Sequence, residues 1–255
     1  MKIAATRSIH SDAKTPTCNL KSISTDTRFT KGLYTPAAAA RFVGMRPATF
    51  RAWSHGYRRS FTNRPTVEMG PVITALPDRA GRSIPFIGLV EATVVQAFRR
   101  TQLPLQRIRR AIDVLREQGE LEHALASKKL YSDGAQVLFD YALGHDDGQL
   151  RLLTVVATQQ RVFHEVISEY LERITFGDQW ATELVLPVTG RALLKVVPDV
   201  AAGDPVFVNG GAPLTAIRSR ARAGEPVASI ARDYDVPTED ISEALDAIWS
   251  ETAAA

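Results

Sequence analysis

The chain has 255 residues, of which 45% are hydrophobic and 23% are charged, so it can bury a core and is long enough for two modest domains. Its single cysteine, Cys18, excludes a disulfide framework and a thiolate metal cluster within one chain. No apolar stretch approaches the roughly 20 residues needed to span a bilayer, and residues 1–30 lack the apolar segment of a secretory signal, so we predict a cytoplasmic protein without a membrane partner.

The net charge of +3 conceals an uneven distribution of charge along the chain. From Thr27 to Val67 there are eight basic residues and no acidic residue, and from Thr93 to Ile112 there are five arginines, again without an acid. After Arg232 there are seven acidic residues and no basic residue. The N-terminal half therefore favours a nucleic acid as partner, whereas the C-terminal end would be repelled by one.

Composition and helix breaks divide the chain into four predicted segments. Residues 1–30 are rich in Ser, Thr and Lys, can bury little surface and are predicted to form a disordered arm. Residues 31–119 are predicted to form a DNA-binding and dimerisation domain, residues 120–204 a middle α+β segment, and residues 205–255 a tri-helical domain. The last boundary is placed within PDVAAGDPVFVNGGAP, a stretch rich in Pro and Gly.

The stretch YTPAAAARFVGMRPATFRAW predicts two short helices joined by a glycine turn. Thr35 is a favourable cap for a first helix at about Pro36–Phe42, with proline in its first turn. Gly44 breaks this helix, and a second helix is predicted at about Pro47–Trp53. Two short helices joined in this way are typical of a helix-turn-helix.

A wing and two longer helices are predicted after this pair. The stretch Val67–Phe86 mixes strand-like VITAL with Pro and Gly and is predicted to be a hairpin, or wing. Helices are predicted at about Ile87–Thr101 and Pro104–Gln118, and the second carries an apolar stripe of helical period that includes Ile108 and Ile112. Such helices are suited to a dimer seam.

The middle segment predicts mixed structure. Asp133-Gly134 stands between two apolar runs and indicates a hairpin. A helix is predicted at about Gln159–Ile174, and strands are predicted at residues 181–188 and 192–197.

Three short helices are predicted at the C-terminal end, at about Leu214–Ala223, Pro226–Tyr234 and Glu239–Trp249, with Thr238 as the cap of the last. The predicted fold class is mainly α with small β elements (α+β). It combines an N-terminal winged helix-turn-helix with a C-terminal tri-helical, helix-turn-helix-like domain.

The predicted DNA-binding residues lie on the basic helix pair and beside it. Arginine can donate two hydrogen bonds to guanine in the major groove, and other basic groups can neutralise phosphates, so we predict Arg46, Thr49 and Arg51 as base or phosphate readers. The flanking phosphate contacts are predicted to be Lys31, Arg58, Arg59 and Arg64. The alternative is a solvated basic face on an ordinary helical domain. Phe50 and Trp53 are predicted to belong to the core.

No catalytic or metal-binding constellation is predicted. His164 and Glu165 stand near Glu169, and His145 stands beside Asp146 and Asp147, but neither group has the H-E-x-x-H spacing that brings two imidazoles to one metal. No nucleophile, base and orienting group can be assembled. We therefore expect no enzymatic activity, no metal and no cofactor.

The acidic residues of the last predicted helix argue against a second DNA reader, because they would repel phosphates. We predict a protein-binding surface there, with a purely local stabilising role as the alternative, since acids at a helix start favour the helix dipole. The residues of this predicted surface are Glu239, Asp240, Glu243, Asp246 and Trp249.

Two parts of the sequence resemble known families. The helix pair YTPAAAARFVGMRPATFRAW, the wing and LPLQRIRRAIDVL resemble the winged helix-turn-helix of MerR-type regulators. The end of the chain, with its Gly-Gly-x-Pro loop, Ala-Gly-Glu link and Asp-Tyr-x-Val-Pro turn, is similar to the small helical "433" domain of VapB-type antitoxins. Trp53 departs from the tyrosine usual in MerR-type proteins, and the sensor cysteines of metal-responsive members are absent.

The combination resembles a VapB-type antitoxin. This resemblance implies a homodimer that binds operator DNA as an autorepressor and neutralises a PIN-domain ribonuclease toxin. The alternative interpretation is a MerR-like transcriptional regulator without a toxin, in which the middle segment, about Leu121–Val197, binds a small effector.

Overall fold

The computed structural model contains, among the residues it describes, seven α-helices with defined bounds, two short 3-10 helices at Ala124–Ala126 and Ala201–Gly203, and two small antiparallel sheets. The described residues are 25–62, 64–77, 81–100, 104–106, 108–110, 112–113, 123–128, 168–187 and 189–249. The helices are α1 (Thr27–Thr30), α2 (Pro36–Phe42), α3 (Pro47–His55), α4 (Phe86–Arg100), α5 (Leu214–Arg222), α6 (Val227–Tyr234) and α7 (Thr238–Trp249). The strands are β1 (Tyr57–Phe61), β2 (Arg64–Met69), β3 (Ile174–Phe176), β4 (Ala181–Val185), β5 (Leu194–Val196) and β6 (Val206–Phe207). The predicted fold class, mainly α with small β elements, is confirmed.

The predicted helix-turn-helix is confirmed as α2 and α3. The Thr35 hydroxyl oxygen accepts a hydrogen bond of 3.0 Å from the amide of Ala38, which satisfies one of the amides left open at a helix start. Gly44 turns the chain between the helices with a φ of +68°, a conformation that favours glycine. Helix α3 extends to His55, two residues beyond its predicted end.

The hairpin begins ten residues earlier than predicted, since β1 and β2 form it directly after α3. The predicted wing at Val67–Phe86 is therefore wrong. The apolar VITAL stretch packs into the core instead: Val72 and Ile73 are each 2% exposed, and their amides donate to the carbonyl of Trp53. Sequence reasoning missed the strands because their described side chains are exposed or half-buried, so they show no apolar alternation.

Helix α4 lies at the centre of the core. Twelve of its fifteen residues are buried, as expected for a helix that is apolar nearly all round. It confirms the helix predicted at Ile87–Thr101 and begins one residue earlier. In the next predicted helix, the described positions 105–106, 108–110 and 112–113 are helical. Its residues Ile108 and Ile112 are buried within the single chain, so they pack in its own core.

The second sheet has the order β3-β4-β5-β6, with every neighbouring pair antiparallel. Strands β4 and β5 confirm the two predicted strands in shortened form. The helix predicted to reach Ile174 ends earlier, because positions 168–171 are helical and Ile174 begins β3. Strand β6 lies inside the Pro- and Gly-rich stretch, where it pairs with β5. The predicted Asp133-Gly134 hairpin lies outside the described residues.

Helices α5, α6 and α7 confirm the three helices predicted at the C-terminal end. Helix α6 ends at Tyr234, and its C-cap residue Asp235 adopts a left-handed conformation with a φ of +53°. Thr238 is the first residue of α7, so its predicted place outside the helix as a cap is wrong. Ile217, Ile230 and Ile241 are all fully buried and join the three helices to the common core.

One hydrophobic core includes the N-terminal helices, the second sheet and the C-terminal helices. The ring of Phe29 in α1 packs edge-on against Trp180, with ring centroids 5.3 Å apart. The prediction of a disordered arm is therefore wrong for residues 27–30, while residues 1–24 lie outside the described part. The Tyr34 hydroxyl donates a hydrogen bond of 2.7 Å to the carbonyl of Gly203. Burial, together with the charge of Asp204, raises the pKa of the Tyr34 phenol, so this donor stays protonated.

None of the described helices is long and apolar enough to cross a membrane.

Candidate nucleic-acid interface and acidic helix

Helix α3 packs one face on the core and leaves the opposite face open. Phe50, Trp53 and Ser54 are only 0%, 4% and 3% exposed, which confirms Phe50 and Trp53 as core residues. Successive residues of an α-helix are about 100° apart around its axis, so the side opposite these three residues is occupied by Ala48 and Ala52. The middle of the open face is therefore made of small side chains.

Hydrogen-bonding side chains flank the two alanines. Arg51 lies on one side of them and Thr49 on the other, about 160° apart across the open face by helical geometry, and both are exposed. Arg46 is the N-cap residue of α3, and its side chain is also exposed. Small residues in the middle allow the helix to approach base edges closely, while the flanking groups can reach bases and phosphates. The three residues predicted to read DNA therefore lie around one surface of α3, but they are not aligned along one side of the helix.

The open face also includes His55, which sequence reasoning treated as a helix end. His55 is the last residue of α3 and is exposed, and its Nδ1 lies 2.8 Å from the hydroxyl oxygen of Ser54. It follows Arg51 by four residues, and this i, i+4 spacing was the signal available in the sequence. The alanines at positions 48 and 52 gave no such signal, because they carry no polar group.

The other predicted arginines lie on the hairpin, which follows α3 directly in the sequence. Arg58 stands opposite Glu68, and Arg59 stands opposite Val67. The Nε of Arg58 is 3.2 Å from Oε1 of Glu68, but the side chains are 71% and 70% exposed, so this ion pair contributes little to stability. Neighbouring residues of a strand face opposite sides, so Arg59 shares a face with Val67 and not with Glu68. Arg64 begins β2.

The candidate interface is basic and only weakly neutralised. Arg46 and Arg51 have no acidic partner among the described residues. Lys31 is exposed but lies outside both α3 and the hairpin, as the C-cap residue of α1. The structure therefore groups six predicted residues on α3 and the hairpin, namely Arg46, Thr49, Arg51, Arg58, Arg59 and Arg64.

The predicted acidic surface is partly occupied within the chain. Asp240 is 5% exposed, and its Oδ1 lies 2.9 Å from a guanidinium nitrogen of Arg191. A second nitrogen of the same guanidinium lies 2.6 Å from Oε2 of Glu243, and hydrogen bonding to Glu243 raises the pKa of Arg191. The assignment of Asp240 to an exposed docking surface is therefore wrong. Glu239 and Asp246 are exposed, and Trp249 is the last residue of α7.

Sequence reasoning missed Arg191 because it lies about fifty positions before its partners. The acidic run after Arg232 contains no base, so its charges looked unneutralised along the chain. Only the packing of the turn that follows β4 against α7 brings the guanidinium to these carboxylates.

A buried polar cluster joins α4 to two loops. The carboxylate of Glu91, 1% exposed, accepts a hydrogen bond of 2.5 Å from the amide of Thr74, and its other oxygen lies 3.2 Å from Nδ1 of His123. The Thr74 hydroxyl lies 3.0 Å from the same nitrogen. A catalytic triad needs the nucleophile and the acid on different imidazole nitrogens, so this cluster does not have that geometry. Its role is to satisfy polar groups inside the core.

Among the described residues there is no group of three side chains that could hold a metal ion. Glu169 belongs to this part of the chain and pairs with Arg173 at 3.5 Å. The remaining residues of the two groups considered for a metal lie outside it, namely His145, Asp146, Asp147, His164 and Glu165.

The fold and the basic surface define a helix-turn-helix protein of the DNA-binding class that carries a second helical module. Residues 32–112 match a family model described as "Putative DNA-binding HTH domain". Residues 195–246 match a family described as "Protein of unknown function (DUF433)". The second match includes β5 and β6, so it begins before the domain boundary predicted at residue 205.

"Putative antitoxin VapB45" of Mycobacterium tuberculosis (strain ATCC 25618 / H37Rv) is 38% identical over 230 residues, which are 87% of this chain and 95% of that protein. The X-ray crystal structure of Rv2018 from Mycobacterium tuberculosis is also similar, with a TM-score of 0.67 and 32% identity over 86% of this chain and 100% of that chain. The chain belongs to the family of VapB-type antitoxins. The resemblance to VapB-type antitoxins, with their "433" domain, is confirmed.

Proposed function

We propose that the protein is the antitoxin of a type II toxin–antitoxin pair, which represses its own operon and neutralises a PIN-domain ribonuclease toxin. The observation that carries the DNA-binding half of this proposal is the open face of α3, with small residues in its middle and arginines around it. The family supports the antitoxin half. In this proposal the protein acts in the cytoplasm as a homodimeric regulator and not as an enzyme.

The open face of α3 enters the major groove, and the hairpin lies along the sugar-phosphate backbone. Arg46, Thr49 and Arg51 read bases or position the helix, while Arg58, Arg59 and Arg64 contact phosphates. Lys31 supplies a further phosphate contact from the N-terminal side. A two-fold dimer requires matched half-sites about one helical turn apart, or a multiple of that distance.

Footprinting on the promoter of its own gene tests this arrangement. We expect protection of an inverted repeat whose half-sites have that spacing. Protection of a site without two-fold symmetry would contradict the homodimer, and no protection of the promoter would contradict autorepression.

The toxin is proposed to bind the exposed acids of α7. The exposed acids of α7 are Glu239 and Asp246, and Trp249 is its last residue, whereas Asp240 is excluded by its burial. A ribonuclease presents positive charge to RNA, so an acidic helix can dock near its active centre and block substrate.

Charge reversal tests the toxin surface better than removal of the C-terminal module. Deleting residues 205–255 would remove β6 from the sheet and expose the core, so loss of function would have two causes. We expect Glu239→Lys with Asp246→Lys to lose inhibition of the toxin ribonuclease and to retain binding of operator DNA. Glu172→Lys, at an exposed acid outside the C-terminal helices, is the control. Full inhibition by the double variant would place the toxin site elsewhere.

A second candidate function is a MerR-like regulator that responds to a small effector and has no toxin. A cleft between α2 and the C-terminal module favours it, because the cleft has the size of a small-molecule site. A PIN-domain gene beside this one supports the antitoxin, and an efflux or metabolic gene supports the effector-responsive regulator.

A further inference from the structure

A cleft of about 390 Å³ separates the DNA-binding helices from the C-terminal helices. One wall consists of α2 and the residues just before it, and the other consists of residues 201–204 and the first turns of α5. Small-molecule sites usually have volumes of about 300–1,000 Å³ and combine an apolar lining with a few polar groups. The apolar lining residues outside the 201–204 loop are Leu33, Ala38, Phe42, Leu214 and Ile248.

The polar lining of the cleft is positively charged. Arg41, Arg82 and Arg218 line it, and the acid among its lining residues is Asp204. The charge of Asp204 is already engaged, because its Oδ2 accepts hydrogen bonds from the amide and the hydroxyl of Thr215 at 3.2 and 2.6 Å. Arg41 and Arg82 have no salt-bridge partner within the described part of the chain. The cleft therefore has an excess of guanidinium groups over carboxylates.

The loop that forms one wall has an unusual backbone. Ala201, Ala202 and Gly203 follow one another with φ values of +49°, +54° and +82°. Alanine rarely adopts such values, which cost energy and tend to occur at ligand sites. A Cβ atom at Gly203 would lie 2.8 Å from Cδ1 of Leu33, and its carbonyl accepts the hydrogen bond from Tyr34. The loop is thus held closely against the N-terminal wall.

We propose that this cleft binds a small organic anion, in which a carboxylate, sulfonate or phosphate group is attached to an apolar body. The guanidinium groups of Arg41 and Arg82 bind the anionic group through charge-assisted hydrogen bonds, with Arg218 on the same lining. The apolar lining residues cover the body of the ligand. The site lies between the two modules, needs neither DNA nor toxin, and goes beyond the proposed antitoxin function.

Two fluorescent probes of nearly the same shape separate charge from apolar burial. 1-Anilinonaphthalene-8-sulfonate carries a sulfonate group, whereas N-phenyl-1-naphthylamine has the same ring system without it. We expect the full chain to bind one sulfonate probe per chain and to bind the uncharged probe at least roughly tenfold more weakly, because the uncharged probe makes no charge-assisted hydrogen bond. Equal affinity for both probes would overturn the proposal.

Three variants locate the bound probe. Arg41→Gln with Arg82→Gln is expected to weaken binding of the sulfonate probe by roughly tenfold or more and to leave the uncharged probe unaffected. Ala38→Phe fills the cleft and is expected to abolish binding of both probes. Arg232→Gln, at an exposed arginine of α6, is the control and should change neither affinity.

A thermal melt of each variant checks that it is folded. If the double arginine variant has the melting temperature of the original chain and still binds the sulfonate probe with unchanged affinity, the proposal is wrong. The same conclusion follows if Ala38→Phe leaves sulfonate binding intact. Since no DNA or toxin is present, these outcomes are independent of the proposed antitoxin function.

Discussion

The α3–hairpin region and the C-terminal helices both carry many charges, but the two regions differ in which of these charges form ion pairs within the chain. In the first region, Arg46 and Arg51 stand at an open surface without an acidic partner among the described residues. In the second, Arg191 binds Asp240 and Glu243, and Arg220 binds Glu225 and Asp233. Charge density in the sequence is therefore not the property that marks a binding surface.

The difference concerns where the opposite charge comes from. Four acids of the C-terminal module find their counter-charges within the same chain, on α5 and on the turn before β5, namely Glu225, Asp233, Asp240 and Glu243. Arg46 and Arg51 have no such partner among the described residues, so a polyanion can supply their counter-charges without first breaking an ion pair seen there. The largest effects on DNA binding are therefore expected at α3, and the largest effects on stability at the ion pairs of the C-terminal module.

The largest contrast is expected from one substitution made in both regions. Ala48 and Ala228 are each exposed and each the second residue of a helix, so glutamate at either position favours the helix dipole. Ala48→Glu places a negative charge in the middle of the proposed interface and is expected to weaken operator binding by about 100-fold or more, because like charges that meet cost several kcal/mol. Ala228→Glu should have no effect in the same gel-shift titration. Equal effects would show that the open face of α3 does not meet DNA.

The next effect distinguishes base reading from phosphate contact. Arg51→Ala is expected to cost about 1–3 kcal/mol of operator binding and to relax sequence choice. Arg59→Ala should weaken binding equally on any DNA and lower the salt slope by roughly 1. Titrations of both variants at several salt concentrations, on operator and on unrelated DNA, are the measurement. Identical behaviour of the two variants would remove the distinction between α3 and the hairpin.

The third effect is on stability alone. Arg191→Met leaves the buried carboxylate of Asp240 without its partner, so we expect the midpoint of denaturant unfolding to fall. Adding Asp240→Asn removes the unpaired charge and should restore part of that loss. Operator binding at a temperature where both variants are folded should stay unchanged. Denaturant unfolding followed by gel shift tests all three expectations, and a loss of DNA binding in the folded variants would contradict the separation of the two regions.

The smallest effect is expected at the exposed ion pair of the hairpin. Glu68→Gln should change the free energy of unfolding by no more than about 0.5 kcal/mol, because both partners are strongly exposed. It also removes an acid from the proposed interface, so we expect operator affinity to rise by a few-fold. Glu172→Gln, at an exposed acid outside the interface, is the matched control for the change in net charge. Weaker binding by Glu68→Gln would show that Arg58 needs this partner to be positioned.

Local chemistry made much of the fold predictable. Thr35 with Pro36 fixes the start of α2, Gly44 supplies the turn, and apolar residues at helical spacing fix α3 and the last three helices. The order of these elements, and the family resemblance that rests on them, follow from signals within a few residues of each other. The hairpin was misplaced because exposed arginine-rich strands give no alternation and a buried loop imitates a strand.

The candidate sites also combine features that the local sequence sets with features that depend on tertiary packing. The sequence by itself determined the basic character of residues 27–67 and the helix pair that presents it, because helical spacing decides which side chains leave the core. Only the tertiary structure decided that Asp240 is buried, that Arg191 is its partner and that Arg41 and Arg82 line one cleft with residues 201–204. These groupings join residues that are far apart along the chain. The exposure of a side chain and the charge that pairs with it depend on which surfaces pack together. No local sequence pattern encodes that packing.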